Sequence, residues 1–300
     1  MEKVKKIDLH AHAVPWGDFT PPYKKGGGRK LTVKELFSEY YEKLGVEKCT
    51  LLPIVSPEGV MEPVTSEMVK FIADENSDRA FWFCGVDPRA ISGKASANLG
   101  YLLEHYKSLG AKGVGEVTAN LFADDPRMEN LFSACAALNL PVTIHIAKDT
   151  LGGYGLIDEI HLPRIEKMLK KYPDLRILGH SQPFWNEIGG NVTEENRGKY
   201  VKGKVENGHL IRLLRENENL LCDLSAGSGA NALMRDREHA ARFIEEFSDR
   251  IYYGCDICMS GSQFPFELDA FLTSMLENGE ISRENYYKIC RGNAEKLLGI

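Results

Sequence analysis

Eight short apolar runs, rich in β-branched and aromatic residues, recur along this 300-residue chain. Segments with the three- and four-residue spacing of amphipathic helices separate them. Such runs are typical of strands that are buried on both faces of a parallel sheet. The runs are KIDLHAH (6–12), CTLLPIV (49–55), FWFCGVD (81–87), AKGVGEV (111–117), PVTIHIA (141–147), LRILGHS (175–181), NLLCDLSA (219–226) and RIYYGCD (250–256).

The alternation of these runs with helical segments predicts parallel βαβ units, and eight such units are the number that closes a (β/α)8 barrel of the TIM type. A doubly wound open sheet is the alternative. Its first strand normally leads into a glycine-rich phosphate-binding turn, whereas the first strand here leads into His-Ala-His. Because no repeat or linker divides the sequence, we expect a single α/β domain over residues 1–300, with two further helices after the eighth strand.

The clearest helix signals follow the first and the fourth runs. Thr32 and Glu35 have the spacing of a capping box, and Gly45 marks a C-terminal stop. Asp125 is placed as an N-cap, with Pro126 at the first helical position. The sequence therefore predicts one helix that ends at Gly45 and another that begins at Pro126.

The composition disfavours several classes of partner. The formal net charge is −6, and lysine and arginine are scattered, so no basic surface for nucleic acid or an anionic membrane is expected. No apolar run reaches the length of about 18 residues that a membrane span needs, and the N-terminus lacks the apolar segment of a secretory signal. We expect a cytoplasmic protein with reduced cysteines, acting on a small molecule, and the composition leaves a homo-oligomer open.

Polar side chains lie at or near the ends of most of the predicted strands. Because the C-terminal ends of barrel strands meet at one rim, these side chains are expected to lie close together. They are His10 and His12 from the first run, Glu116 from the fourth, His145 from the fifth, His180 from the sixth and Asp256 from the eighth.

Each of these residues alone has a structural interpretation, as a turn cap for a carboxylate or as a hydrogen-bonded core residue for a histidine. The combination indicates more, because four imidazoles and two carboxylates at one rim would leave buried charges unpaired without a cation. Imidazole and carboxylate donors suit zinc and similar divalent ions. The set predicts a divalent metal, with zinc as the first choice and one or two ions per chain.

The ordered motifs DLHAH, KGVGE, TIHIA, ILGH and YGCD, with CRGNAEKLLGI closing the chain, resemble the amidohydrolase superfamily. Within it the chain is most similar to the metal-dependent branch called amidohydrolase family 2, which also contains decarboxylases and hydratases of carboxylated substrates. The resemblance runs from residue 7 to the C-terminus. It implies a mono- or binuclear site, most often zinc, held by His10, His12, His145, His180 and Asp256.

The resemblance leaves the number of ions open. Many binuclear relatives bridge two ions with a carbamylated lysine from the fourth strand and others use a glutamate, which Glu116 resembles. Mononuclear relatives lack the bridge and use the sixth-strand histidine, here His180, as a catalytic group. Asp256 is expected to be both a ligand and the catalytic group that carries a proton from water to the leaving group.

Three functions are therefore considered. The first is hydrolysis of an amide, ester or lactone bond by a metal-activated water. The second is decarboxylation or hydration of an aromatic or dicarboxylic acid in the same site. The third is a catalytically silent barrel that binds a ligand. Phosphoester cleavage is a minor possibility, because the His-x-Arg and Thr-Asp patterns of similar phosphoesterases are absent.

Substrate contacts are harder to assign from sequence. Trp16, with Phe19 and Tyr23, follows the first strand, Trp185 and Phe184 follow the sixth, and Lys148 follows His145. The aromatic residues would line a pocket for a planar or apolar substrate, and Lys148 would pair with a carboxylate, although loop packing and a solvated lysine are the alternatives. Two further features are the glycine-rich segment 23–30, interpreted as a lid, and the Cys255 to Cys258 CxxC spacing, for which a redox role is disfavoured by its position after the last strand.

Overall fold

The computed structural model describes residues 3–17, 28–58, 63–148, 153–206 and 208–300. The described residues form eight strands, one at each of the eight apolar runs, so all eight predicted strands are confirmed. They are β1 (Lys6–Ala11), β2 (Val46–Leu51), β3 (Ala80–Trp82), β4 (Val114–Val117), β5 (Val142–His145), β6 (Ile177–His180), β7 (Leu220–Asp223) and β8 (Ile251–Tyr252). Because β8 ends at Tyr252, Asp256 lies in the loop beyond the strand, which corrects its predicted place at the strand end.

All neighbouring strands are parallel, and they close into a (β/α)8 barrel as predicted. Hydrogen bonding groups them as β1-β2-β3 and β4-β5-β6-β7-β8. A parallel bridge between Cys84 and Val114 joins the two groups beyond β3. On the other side, the backbone N–H of Leu9 donates to the Tyr253 carbonyl at 3.0 Å, and the Asp256 N–H donates to the His10 carbonyl at 2.8 Å. The first and last strands therefore meet next to the predicted metal ligands.

Helices follow the strands and surround the barrel. They are α1 (Val33–Leu36), α2 (Glu42–Leu44), α3 (Ser66–Asp74), α4 (Leu99–Ser108), α5 (Pro126–Ala137), α6 (Pro163–Lys171), α7 (Gln182–Asn186), α8 (His209–Glu216), α9 (Ala226–Met234), α10 (Arg237–Phe247), α11 (Phe264–Glu277), α12 (Arg283–Tyr287) and α13 (Asn293–Leu298). Among the described residues no helix has the length and apolar character needed to cross a bilayer.

The predicted helix ends are confirmed. The Thr32 hydroxyl accepts from the Glu35 N–H while the Glu35 carboxylate accepts from the Thr32 N–H, which is a capping box. Gly45 ends the same helical region with a φ of 70°, a left-handed conformation that glycine adopts without strain. A π-helical turn between α1 and α2 interrupts the expected continuous helix. Asp125 caps α5 by accepting from the Arg127 N–H, and Pro126 is its first residue.

Two hydrophobic clusters surround the strands. The larger lies between the strands and the helices, whereas the smaller joins residues near the strand starts, such as Ile7, Leu178 and Leu221, to Leu297 and Leu298 of α13. Helix α13 therefore packs at the N-terminal end of the barrel. This arrangement leaves the opposite, C-terminal end for the polar side chains described next.

Gly115 sets the backbone conformation next to Glu116. Its φ is +133°, and a Cβ at this position would lie 2.6 Å from the carbonyl oxygen of Thr143 on the neighbouring strand. Both the dihedral angle and the close approach require glycine. The sequence Gly-Val-Gly-Glu thereby brings the Glu116 carboxylate to the end of β4.

Candidate metal centre

The six side chains predicted as ligands lie together at the C-terminal end of the barrel. His10 is in β1, Glu116 in β4, His145 in β5 and His180 in β6, and the remaining two, His12 and Asp256, lie just beyond β1 and β8. The polar atoms of these side chains approach one another within 4 Å, as the distances below show. Their roles as ligands stay a prediction, but their convergence is a structural fact.

Four donor atoms form what we call the first cluster: His10 Nε2, His12 Nε2, Glu116 Oε2 and Asp256 Oδ1. The two imidazole nitrogens are 3.0 Å apart. Glu116 Oε2 lies 3.7 Å from His10 Nε2 and 3.5 Å from His12 Nε2. Asp256 Oδ1 lies 3.7 Å from His10 Nε2 and 3.3 Å from His12 Nε2. These separations suit donors around one small cation.

Four other donor atoms form the second cluster: His145 Nδ1, His180 Nε2, Glu116 Oε1 and Asp256 Oδ2. Glu116 Oε1 is 2.7 Å from His145 Nδ1 and 3.9 Å from His180 Nε2. Asp256 Oδ2 is 3.5 Å from His180 Nε2. Both carboxylates thus present one oxygen to each cluster, so each has the position of a bridge between two sites.

Hydrogen bonds on the far sides of the first two histidines determine which nitrogen faces the cluster. His10 Nδ1 donates to Asp223 Oδ2 at 2.6 Å, and His12 Nδ1 donates to the Leu52 carbonyl at 2.9 Å. Because carboxylate and carbonyl oxygens only accept, both Nδ1 atoms carry the proton. In the neutral imidazoles both Nε2 atoms then present lone pairs, which repel at 3.0 Å unless a cation or a proton lies between them. The donor set therefore fits a bound cation.

The electrostatics of the site agree with this chemistry. Burial lowers the pKa of the His12 imidazole, but the carboxylates of Asp256 and Glu116 outweigh burial and raise it to about 9. Burial would raise the pKa of the Glu116 carboxyl, yet hydrogen bonds from His10, His12 and His145 hold it well below its usual range. The site is a buried region of negative potential that attracts a proton or a metal ion.

Asp223 is a buried residue of the site that the sequence-based prediction missed. It ends β7, is 1% exposed, and contacts two histidines of the centre. Besides accepting from His10, its Oδ2 lies 3.6 Å from His180 Nδ1, which also lies 3.0 Å from the Ser225 hydroxyl. The signal was present, because Asp223 follows the same rule of polar residues at strand ends. A carboxylate behind a ligating histidine fixes its tautomer and raises its basicity.

Asp8 is a second buried carboxylate that the prediction missed. Its Oδ1 accepts from the backbone N–H groups of His10 and Cys255, both at 2.9 Å, and its Oδ2 accepts from the Tyr41 hydroxyl at 2.5 Å. Burial raises the pKa of Asp8 to about 6 despite these hydrogen bonds. Asp8 therefore connects β1 to the loop that carries Asp256, and fixes the backbone of His10 relative to that loop.

A cavity of about 370 Å³ opens onto the centre. Its polar lining includes Lys30 and Tyr154, neither of which was predicted as a site residue. Tyr154 packs against His145, with ring centroids 4.4 Å apart. The other walls are mainly apolar, and are formed by Ala13, Val14, Leu52, Ile54, Val64 and Met259. A cavity of this kind suits a small organic molecule with an apolar body and a polar end.

The structure places the three residues predicted as substrate contacts in different environments. Trp185 is 1% exposed, its Nε1 donates to the Asp223 carbonyl at 2.8 Å, and its ring packs edge-on against Phe243. The structure therefore corrects the prediction for Trp185, because α7 directs its ring, like that of Phe184, into the core. Trp16 and Lys148 are exposed and do not belong to the described cavity lining, and their role as substrate contacts stays a prediction. Phe19, Tyr23 and most of the predicted lid lie outside the described residues.

Cys258 is the one cysteine of the seven that lines this cavity. All seven are free, and the other six are buried. The Cys258 thiol donates to Asp256 Oδ1 at 3.0 Å, so its sulfur lies beside the first cluster. The CxxC spacing thus places one thiol in the core and one at the centre, and no disulfide joins them.

A family model described as amidohydrolase matches residues 7–300. The match covers both the donor residues and the strands that carry them. None of the proteins with curated descriptions matches the sequence significantly.

Solved structures with the same fold cover nearly the whole chain. An uncharacterised TIM-barrel protein from Bordetella bronchiseptica has a TM-score of 0.66 at 18% identity, with 98% of both chains covered. A 2,6-dihydroxybenzoate decarboxylase from Rhizobium has a TM-score of 0.62 at 14% identity, with 99% of both chains covered. An amidohydrolase from Burkholderia multivorans with bound zinc has a TM-score of 0.64 at 13% identity, covering 98% of this chain and 99% of its own. At these identities the comparison establishes the barrel fold.

Proposed function

Because the chain belongs to the amidohydrolase family, we propose that it is a metal-dependent hydrolase that cleaves an amide, ester or lactone bond of a small molecule. The observation that carries this proposal is the position of Glu116 and Asp256, each with one oxygen in each donor cluster. Carboxylates in this position suit two divalent ions, and the nitrogen and oxygen donors favour zinc. The zinc-containing neighbour is consistent with that choice of metal.

The donor set assigns a task to each residue. His10, His12, His145 and His180 would hold the ions, and Glu116 would bridge them. When bound, the metal lowers the pKa of a coordinated water to about 7 and polarises the substrate carbonyl. Asp223 keeps His10 in the tautomer whose Nε2 faces the centre.

Asp256 is the proposed proton carrier. Charge interactions with His10 and hydrogen bonds from His12 and His180 outweigh burial and hold the pKa of its carboxyl well below its usual range, so it is an acceptor at neutral pH. It takes one proton from the water as the water oxygen bonds to the carbonyl carbon. It then gives that proton to the leaving nitrogen or oxygen as the scissile bond breaks.

A lyase that decarboxylates or hydrates an aromatic or dicarboxylic acid is the second candidate. The mainly apolar cavity with Lys30 in its lining favours it, because such a pocket suits an aromatic ring with a carboxylate. Neighbouring structures are described as a 2,6-dihydroxybenzoate decarboxylase and a probable 2-pyrone-4,6-dicarboxylic acid hydrolase. This candidate requires one ion, with His180 free of it as an acid–base group. The third candidate, a silent ligand-binding barrel, requires ligand binding that survives removal of the metal.

Metal content and activity together separate these candidates. Protein purified without chelator is assayed for divalent metal per chain, and is then tested on panels of amides, esters and lactones and of aromatic and dicarboxylic acids. The hydrolase proposal expects two ions, falling to one or none in Glu116→Gln, and hydrolysis that is lost in Asp256→Asn. Glu129→Gln, which changes a surface acid on α5, is the control and should behave like the wild type. A reproducible single ion with release of carbon dioxide would establish the lyase instead.

A further inference from the structure

The Cys258 thiol lies at the centre, but the proposed hydrolase mechanism assigns it no role. It lies two residues beyond Asp256, lines the cavity, and is the one partly exposed cysteine of the chain. The other polar groups of the first cluster already have an assigned task. The thiol therefore raises the question of what it binds.

The geometry places its sulfur among ligand atoms. The side chains of His12, Asp256 and Cys258 each offer one donor atom, and these three atoms lie within 4.8 Å of one another. Asp256 has a left-handed φ of 50°, and the Cys258 N–H donates to the Asp256 carbonyl at 3.0 Å. This tight turn returns the Cys258 side chain towards the same face as the Asp256 carboxylate.

A second observation, independent of the cysteine, indicates a cation at this place. His10 is fully buried, and its Nε2 faces the Nε2 of His12 at 3.0 Å. The Nδ1 atoms of the two histidines carry the protons, because they donate hydrogen bonds to Asp223 and to the Leu52 carbonyl. The facing lone pairs need a positive charge between them. The sulfur is thus next to a position that must hold a cation or a proton.

We propose that Cys258 Sγ is a ligand of the cation bound by His10 and His12, so that the first cluster is a sulfur-containing site. This inference rests on the proposed metal centre and adds a ligand to it. On binding, the S–H bond is replaced by a bond from sulfur to the metal, and the proton leaves to solvent. Sulfur selects zinc and similar softer ions over magnesium, calcium or manganese.

A sulfur ligand in the first cluster would give the two clusters different roles, because the first would anchor an ion and the second would bind water and substrate. With Cys258 the first cluster would offer five donors, namely two imidazoles, one thiolate and one oxygen each from Glu116 and Asp256, which would leave an ion there no position for water, as in a structural or anchoring site. The position left open for water and substrate then belongs to the second cluster, beside His145 and His180. Asp256 Oδ2, 3.5 Å from His180 Nε2, faces that cluster and is placed to accept the proton.

Cobalt(II) substitution tests the ligand directly, because a sulfur ligand gives an intense near-ultraviolet charge-transfer band that nitrogen and oxygen ligands do not give. The metal-free protein is titrated with cobalt(II) while the spectrum and the bound cobalt per chain are recorded. We expect the band in the wild type and in Cys135→Ala, a buried cysteine of α5. We expect Cys258→Ser to lack the band, to keep bound cobalt in the second cluster, and to bind the first-cluster ion at least about tenfold more weakly.

X-ray absorption at the zinc edge of the wild-type protein provides a second measurement that needs no variant. It should detect one sulfur neighbour at about 2.3 Å. Cobalt or zinc bound without a sulfur signal would overturn this inference and leave the proposed metal centre intact, with the thiol acting only as a hydrogen-bond donor to Asp256. Failure of either metal to bind would overturn the metal centre itself, and this inference with it.

Discussion

Asp223 accepts a 2.6 Å hydrogen bond from His10 Nδ1, a contact between residues 213 positions apart in the chain. It joins the end of β7 to β1, which are separated by β8, on the side of His10 that faces away from the first cluster. The bond explains why one nitrogen of His10 is available to a cation and the other is not. It also means that a change at Asp223 can alter the proposed metal centre without removing a proposed ligand.

Asp223→Asn should weaken metal binding without unfolding the protein. The amide keeps the size of the side chain and an oxygen that accepts a hydrogen bond from His10. It removes the negative charge that raises the basicity of His10 Nε2 towards a metal ion. We expect the zinc affinity to fall about 10- to 100-fold, as measured by competition with a chromophoric chelator. Asp236→Asn, at the N-cap of α10, is the control and should bind as the wild type does. Equal affinities for the two variants would contradict the role given to Asp223.

Removal of the metal should lower the thermal stability. An ion that binds only the folded state contributes about 2.7 kcal/mol when it is present at 100 times its Kd. For a chain of this size that corresponds to a decrease in Tm of roughly 5 °C on treatment with chelator. Calorimetry before and after chelation measures it, and added zinc should restore the original Tm whereas magnesium should not. A Tm that is indifferent to chelation would show that the four histidines do not hold an ion.

Gly115→Ala should destabilise the protein and disturb the centre together. The new methyl group would lie 2.6 Å from the Thr143 carbonyl oxygen, at a φ of +133°. We expect a loss of about 3 kcal/mol in the free energy of unfolding, measured by urea denaturation. Gly203→Ala isolates the dihedral strain, because Gly203 has a φ of +92° and no described heavy atom within 4 Å of the added carbon. That control should cost about 1 kcal/mol, and an equal loss in both variants would count against the steric explanation.

Glu35 should stabilise the fold in a pH-dependent manner. Arg29 and the Thr32 backbone lower the pKa of its carboxyl to about 2. Because the folded-state pKa is lower than the unfolded one, the stabilisation is full above about pH 4.5 and is lost as the pH falls towards 2. Glu35→Gln should therefore cost about 0.5–1 kcal/mol at pH 7, allowing for solvent screening, and less at pH 4. Urea denaturation at both values measures the difference, and a larger cost at pH 4 would refute this account.

The strands and the six donors could be predicted because both depend on local signals. Apolar runs identify the strands, and barrel geometry brings their ends together, so residues as distant as His12 and Asp256 could be assigned to one site. Asp223 also ends a strand, and the same rule could have identified it, but its hydrogen bond to His10 could not be predicted, because no local pattern pairs two residues so far apart in sequence. Trp185 was misplaced for a related reason, since the direction of its ring depends on packing against Phe243 of α10. Sequence patterns locate side chains along the rim, but long-range packing decides where they point.

The hydrogen bond from the Asp256 N–H to the His10 carbonyl has a consequence for synthesis on the ribosome. His10 and His12, the first of the proposed ligands to be synthesised, leave the exit tunnel well before Asp256, the last of them, is made. Until then the edge of β1 that faces away from β2 is unpaired, and the proposed donor set is incomplete. If the proposed metal centre is correct, the cation would bind late in the maturation of this protein, when the last strand joins the first.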